Sequence, residues 1–262
     1  MSLTKDLCDI LYSTVNDSIK DENKVIIAFS GGVDSTLLSK ICKDLKKQIC
    51  LVTIGFPNSH DLLFSKHISY LLSYSKNHLV YEINDVEFET SLKYVRSKIS
   101  CNYLSHIENC VAFFYLSKII KDNDLGGFFL TANGLDELFC GYNRYRLYFN
   151  NGYDLIMKFM EERLINEFHL MDETTSVIGE SGIKSIQPFL NGDFIDFAKT
   201  IPLEYKIKDS DDLLRKHIIR EIALAIGVPK ESAMYPKKAL QYGSLIHKHL
   251  IKKKDLKSKW YT

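Results

Sequence analysis

With 262 residues, 45% of them hydrophobic and 26% charged, the chain is long enough to bury the core of one large α/β domain, or of such a domain with a helical extension. A net charge of +1 makes no global demand for nucleic acid or an anionic membrane. No apolar run is long enough to span a bilayer and the N-terminus lacks a signal-peptide core, so a cytoplasmic protein without a membrane partner is expected. The six cysteines (Cys8, Cys42, Cys50, Cys101, Cys110, Cys140) include no C-x-x-C pair, which points to buried thiols in a reducing compartment and to neither a zinc nor an iron–sulfur site.

Leu7, Ile10, Leu11, Val15 and Ile19 recur at helical spacing and predict an amphipathic opening helix. Val25 to Phe29 reads as a buried parallel strand, followed by a helix to about residue 46. Between them lies Ser30-Gly31-Gly32-Val33-Asp34-Ser35. Strand, Gly-rich turn and helix start build a nest of backbone N–H groups backed by the positive end of the helix dipole, and such a nest binds phosphate. Asp34 puts a carboxylate where a phosphate-bound Mg²⁺ needs one. No Gly-Lys-Ser/Thr closes the loop, so it is not a Walker A motif. The alternative reading is a plain turn with Ser35 capping a helix. All of Ser30, Gly31, Gly32, Asp34 and Ser35 fit S-G-G-x-D-S, and the segment resembles the pyrophosphate loop of the N-type ATP pyrophosphatases, which split ATP into AMP and pyrophosphate.

A second strand over 49–54 ends at Gly55, a helix covers 62–72, and a third strand covers 78–83. Helices are expected over 88–99 and 107–120, and a fourth strand over 127–131 opens straight into Asn133-Gly134-Leu135-Asp136-Glu137. Strands alternating with helices predict a doubly wound parallel sheet of about five strands, α/β and Rossmann-like, with ligands outside the carboxyl ends of its strands. That convergence brings Ser30–Ser35, Gly55 and Asn133–Asp136 around one ligand. Asp34 and Asp136 then make a Mg²⁺ pair, although carboxylates at a helix start are also common without any ligand. After about residue 142 the strand signal fades, and helical patterns dominate at 153–168, 192–200, 211–226 and 238–254. The expected division is a nucleotide-binding α/β portion, 1–145, and a helical substrate-side portion, 146–262, packed on it as one overall domain. Residues 230–262 carry nine lysines against Glu231 and Asp255, a local basic excess that leaves nucleic acid open as a lesser partner.

Asp136-Glu137-Leu138-Phe139-x-Gly141-Tyr142-x-x-Tyr145 resembles the D-E-L-F-x-G-Y-x-x-Y segment of asparagine synthetases, and the resemblance extends over nearly the whole chain. Gln187-Pro188-Phe189-Leu190-Asn191 with Phe197-Ala198 and Ile201-Pro202, Leu214-Arg215-Lys216, and Tyr235-Pro236-Lys237-Lys238 through Gly243 are each similar to later segments of that family. The resemblance implies an adenine nucleotide α-hydrolase-like fold and a carbon–nitrogen ligase that adenylates a carboxylate, aspartate by default, and passes ammonia or an amine to it. ATP and Mg²⁺ are the implied cofactors. It places adenine against Ala28, Phe29, Ile54 and Gly55 and phosphates in Ser30–Ser35, with Ala132 and Gly134 also at the nucleotide. Mg²⁺ falls to Asp34 and Asp136, with Asp136 counted among the catalytic residues. Lys237 implies charge stabilisation on departing pyrophosphate, with Lys238 as its fallback and Asn133 and Glu137 on the substrate side.

Three departures stand out. Thr131-Ala132-Asn133-Gly134 replaces the family's S-G-E-G, and Asn133 cannot take a proton as the family's Glu can. Lys184 and Ile186 stand where the family has E-x-R before P-F-L. Only about 24 residues precede the first strand, so the chain resembles the synthetase half without a glutaminase domain, and a separate glutaminase is a possible partner. Two rival readings share the loop: an RNA-modifying or sulfur-transferring pyrophosphatase, and a non-catalytic nucleotide-binding regulator.

Overall fold

The computed structural model describes residues 3–236 and 238–252. Lys24–Ala28 (β1), Gln48–Gly55 (β2), His78–Glu82 (β3), Phe128–Leu130 (β4) and Lys184–Ile186 (β5) form one sheet in the order β3-β2-β1-β4-β5, every pair parallel. Leu3–Ile19 (α1) opens the chain, and Val33–Asp44 (α2), His60–Leu71 (α3), Asp85–Lys98 (α4) and Leu104–Asp122 (α5) alternate with the first four strands. Beyond β4 come Leu135–Leu138 (α6), Arg144–Phe149 (α7), Tyr153–Ile178 (α8), Gly192–Thr200 (α9), His217–Ala225 (α10), Lys230–Ala233 (α11), Leu240–Gly243 (α12) and Ile246–Ile251 (α13).

Because side chains alternate along a strand, each strand feeds two cores. Val25 and Ile27 of β1, Leu51 of β2 and Leu130 of β4 join α1 and α2 on one face. Ile26, Val52, Ile54 and Phe129 join α4 and α5 on the other. Each such Leu, Ile or Val withdrawn from water contributes ~1.5–3 kcal/mol. α8 serves both cores, with Ile156, Phe159, Met160 and Leu164 in the first and Leu170, Met171, Val177 and Ile178 in the second. Its apolar stripe therefore runs on past residue 168, where the sequence pattern predicts its end, and the helix reaches Ile178.

From β1 the chain winds outward through β2 to β3, then returns to place β4 on the other side of β1, with Ile27 opposite Leu130. The topological switch point lies between β1 and β4. There the loops leaving two adjacent parallel strands turn opposite ways and leave a crevice.

Three further expectations are corrected. β5 comes from a segment that carries no strand signal of its own. The helix expected over 211–226 begins only at His217, because the Asp212 carboxylate accepts from the backbone N–H groups of Leu214 and Arg215 and holds a turn there. The helix expected over 238–254 is broken at Leu245, whose φ of 66° is left-handed, into α12 and α13. Residues 253 and 254 of that pattern lie outside the described residues. Among the described residues no helix is long and apolar enough to cross a membrane.

Candidate active site

The first loop at the switch point is built tightly. Gly31 has φ 79°, and a Cβ there would press on the backbone of Ser65 and the side chain of Phe64, so glycine lets the loop lie flat against α3. Ser35 Oγ accepts from the backbone N–H of Ser30 at 3.3 Å and donates to the Gly32 carbonyl, while Ser30 Oγ accepts from the Gly32 N–H. Gly32 is the N-cap of α2, and Asp34 stands in that helix's first turn. From the far side, Ser232 Oγ of α11 donates to the Gly31 carbonyl at 2.7 Å and lies 2.9 Å from Thr36 Oγ1. The C-terminal region thus clamps the phosphate-type loop.

The second loop leaves β4 and enters α6. Glu137 turns back, accepting from the Gly134 N–H at 3.1 Å and from the Tyr142 hydroxyl, and Tyr145 donates its hydroxyl to the Glu137 carbonyl at 2.7 Å. Burial, with Asp136 next door, pushes the Glu137 carboxyl above the ordinary carboxylate range. That pinned turn aims Asp136 across the crevice at Asp34. Lys216 Nζ lies 2.6 Å from Asp34 Oδ2 and 2.5 Å from Asp136 Oδ1. Two hard carboxylate donors meeting at one point beside a phosphate-type loop fit Mg²⁺, which takes one or two carboxylates and completes its shell with phosphate oxygens and water.

A cavity of about 340 Å³ opens at this point. Of the residues singled out in sequence, Ala28, Phe29, Ser30, Asp34, Ser35, Ile54, Ala132, Asn133, Asp136, Glu137 and Lys238 line it. Gly31, Gly32, Gly55 and Gly134 do not: Gly55 packs against Ser59 and the backbone of Ser244, and Gly134 against the Phe189 carbonyl. Gly32 and Lys238 share a smaller cavity of about 50 Å³ with Tyr235, whose ring packs at a tilt against His60 and Phe64 of α3. Lys237 lies outside the described residues.

Of four further residues at the site, Lys216 lies in the family-like Leu214-Arg215-Lys216 segment without an assigned role, and the other three carry no motif in the sequence. Glu167, buried on α8, accepts from Asn133 Nδ2 across 2.5 Å and lines the cavity. Arg163, one turn earlier on the same face, also lines it, and its Nε has no hydrogen-bond partner among the described residues. Lys216 joins the two aspartates. Arg220 donates to four backbone carbonyls, those of Leu214, Arg215, Ala233 and Tyr235, and so ties the segment before Lys216 to the segment before Lys237. Only the i, i+4 spacing of Arg163 and Glu167 could have flagged a shared helix face in advance.

The asparagine synthase family profile matches residues 6–177 and 169–258. The "Putative asparagine synthetase (glutamine-hydrolyzing) 1" of Methanocaldococcus jannaschii is 26% identical over 265 residues, covering 89% of this chain and 48% of that protein. Asparagine synthetase domain-containing protein 1 is 32% identical in Mus musculus over 130 residues, covering 45% of this chain and 20% of the relative. In Homo sapiens it is 32% identical over 124 residues, with 45% and 19% covered. The chain therefore spans half or less of the curated relatives it matches. Among solved structures, a U34-tRNA thiolase of Methanococcus maripaludis aligns with a TM-score of 0.46 and 12% identity, over 98% of this chain and 75% of that one. With the profile spanning both the phosphate-type loop and the D-E-L-F turn, the chain belongs to the asparagine synthase family.

Proposed function

We propose that the protein is an ATP-dependent amide synthetase that forms AMP and pyrophosphate. The observation that carries this reading is the meeting of Asp34 and Asp136, from the loops after two adjacent parallel strands, at the mouth of a backbone N–H nest. Asp34 and Asp136 would hold Mg²⁺, which when bound neutralises charge on the phosphates. The Ser30–Ser35 loop and the N-terminus of α2 bind and orient the triphosphate, and Ala28, Phe29 and Ile54 flank the base. A carboxylate substrate held in line attacks the α-phosphorus, giving an acyl-adenylate and pyrophosphate. A nitrogen nucleophile then forms the amide bond, loses a proton, and expels AMP.

Three side chains fit the acceptor side. The Nε of Arg163 suits a carboxylate, and Glu167 returns to the cavity the carboxylate that Asn133 lacks. Through Asn133 it holds a position suited to anchoring an ammonium group or accepting the nucleophile's proton. Aspartate is the reference acceptor and ammonia the simplest nucleophile, free or delivered by a separate glutaminase in the cytoplasm. The division into an ATP-binding portion, 1–145, and a substrate-side portion, 146–262, follows the same reading.

The test is product analysis with ATP, a panel of amino-acid carboxylates and ammonium. AMP and pyrophosphate in equal amounts, dependent on the carboxylate, are expected. ADP as the sole nucleotide product overturns the proposal.

A further inference from the structure

Lys216 has no part in the chemistry proposed above, yet it stands at the centre of the site. Its side chain is 1% exposed, and its ammonium touches Asp34 on one side and Asp136 on the other. The backbone is bent to put it there. Arg215 and Lys216 are consecutive non-glycine residues with φ 49° and 54°, a conformation that persists only where the surroundings impose it. The surroundings do so from several directions. Arg215 donates through Nε and Nη2 to the Gly141 carbonyl, Asp212 accepts from the N–H groups of Leu214 and Arg215, and Arg220 donates to both of their carbonyls. Gly141, the glycine of the D-E-L-F-x-G-Y turn, completes the fit: a Cβ there would overlap Asp136 Oδ1 and Lys216 Cε.

We propose that Lys216 is a resident counter-cation that holds the two carboxylates paired in the nucleotide-free protein and bars free divalent cations, so that metal enters only with the triphosphate. Two carboxylates facing each other with little water between them would repel, and one ammonium between them removes that repulsion. The trio carries a net charge of −1, and a free dication must displace a buried, tethered cation to bind. A metal arriving on a triphosphate brings anionic oxygens, which give the ammonium new partners as the carboxylates turn to the metal. This inference rests on the reading of Asp34 and Asp136 as the metal ligands.

Mn²⁺ binding followed by water-proton relaxation tests it without turnover. Nucleotide-free wild type should bind Mn²⁺ about tenfold or more weakly than the Lys216→Met variant, since removing one adjacent positive charge exposes both carboxylates to the metal. With α,β-methylene-ATP present, wild type should take up Mn²⁺ tightly. Should the variant fold poorly, wild type alone decides: Mn²⁺ held as tightly without nucleotide as with it overturns the proposal. If Lys216→Met binds Mn²⁺ no better than wild type while Asp34→Asn abolishes nucleotide-dependent uptake, Lys216 is no barrier and the metal assignment stands. If Asp34→Asn/Lys216→Met binds Mn²⁺ as well as Lys216→Met, the metal lies elsewhere and both fall.

Discussion

The side-chain amide of Asn133 donates to Oε1 of Glu167 across 2.5 Å, joining the loop after β4 to the middle of α8. The family's Glu on that loop is replaced by an amide, and a carboxylate from a helix 34 residues downstream meets it. On the proposed reading, the acid moves from loop to helix, and the carboxylate in the cavity would act from a different direction. Glu167→Gln should therefore lower kcat by ~10²–10⁴, the usual worth of a placed acid–base group, with ATP affinity within a few fold. Asn133→Glu alone should also be poor, because two carboxylates would then face each other. Asn133→Glu/Glu167→Gln should recover activity over either single variant. Steady-state rates and ATP titrations check all three, and a double variant no better than its parents would show that Glu167 serves the fold alone.

Gly141→Ala tests how closely the turn approaches the acidic pair. The added methyl overlaps both Asp136 and the Lys216 stem, and neither is free to retreat because each is held in a short, pinned segment. Overpacking of this kind costs ~1–3 kcal/mol. In a chain of this size that is ~2–4 °C in Tm per kcal/mol. Urea titration should show a lower midpoint with an unchanged slope. A Tm equal to wild type would mean that the turn relaxes freely.

How far the site can be read from sequence depends on whether its parts are local. Ser30–Ser35 and Asp136–Tyr145 are contiguous segments in which strand end, turn and helix start are all written in adjacent residues, so their chemistry is visible before the fold. Lys184–Ile186 is a strand only because β4 offers it an edge; three residues with one apolar side chain among them carry no period. The role of Lys216, though its segment is named in the sequence, is hidden for a related reason. Its place is set by left-handed backbone at Arg215 and Lys216, by local clamps from Asp212 and Arg220, and by the distant Gly141 carbonyl, and no periodic pattern announces that combination. Glu167 reads in sequence as one acid among several on a long helix, and it stands out only where that helix meets the loop after β4 through Asn133.

His78 makes stability depend on pH. Its ring sits edge-on to Phe29, 5.6 Å between centroids, with Nε2 2.7 Å from Thr53 Oγ1 and Nδ1 2.9 Å from Ser69 Oγ. Thr53 donates its own proton to the Phe29 carbonyl, so it accepts from Nε2–H of the ring. Burial, with Lys66 nearby, lowers the His78 pKa to about 4 from 6.5. The unfolded chain then binds this proton first. The stabilisation is whole above about pH 6.5 and is lost as pH falls toward about 4, to a ceiling of about 3 kcal/mol before solvent screening. Urea midpoints for His78→Gln should fall less steeply across that window than those of wild type, and parallel curves would refute the assignment.

The last prediction concerns the two lysines after Pro236. Arg220 fixes the carbonyls of Ala233 and Tyr235 at 2.6 and 3.0 Å, Ser232 holds the Gly31 carbonyl, and Tyr235 packs at 4.7 Å on Phe64. The segment that leads into the lysines is thus fastened to the same framework that carries the phosphate-type loop. Lys238 lines the cavity, and the family resemblance assigns the catalytic charge to Lys237. A lysine beside the α-phosphate stabilises charge that grows as pyrophosphate departs, so it acts on the transition state more than on bound ATP. Lys237→Ala should leave ATP affinity within a few fold and lower kcat by ~10²–10³, the scale for loss of one preorganised charge-stabilising donor. Lys238→Ala should be much milder. If the two effects are exchanged, the loop register is shifted by one and the role passes to Lys238. If neither substitution matters, the charge on the leaving pyrophosphate is met elsewhere.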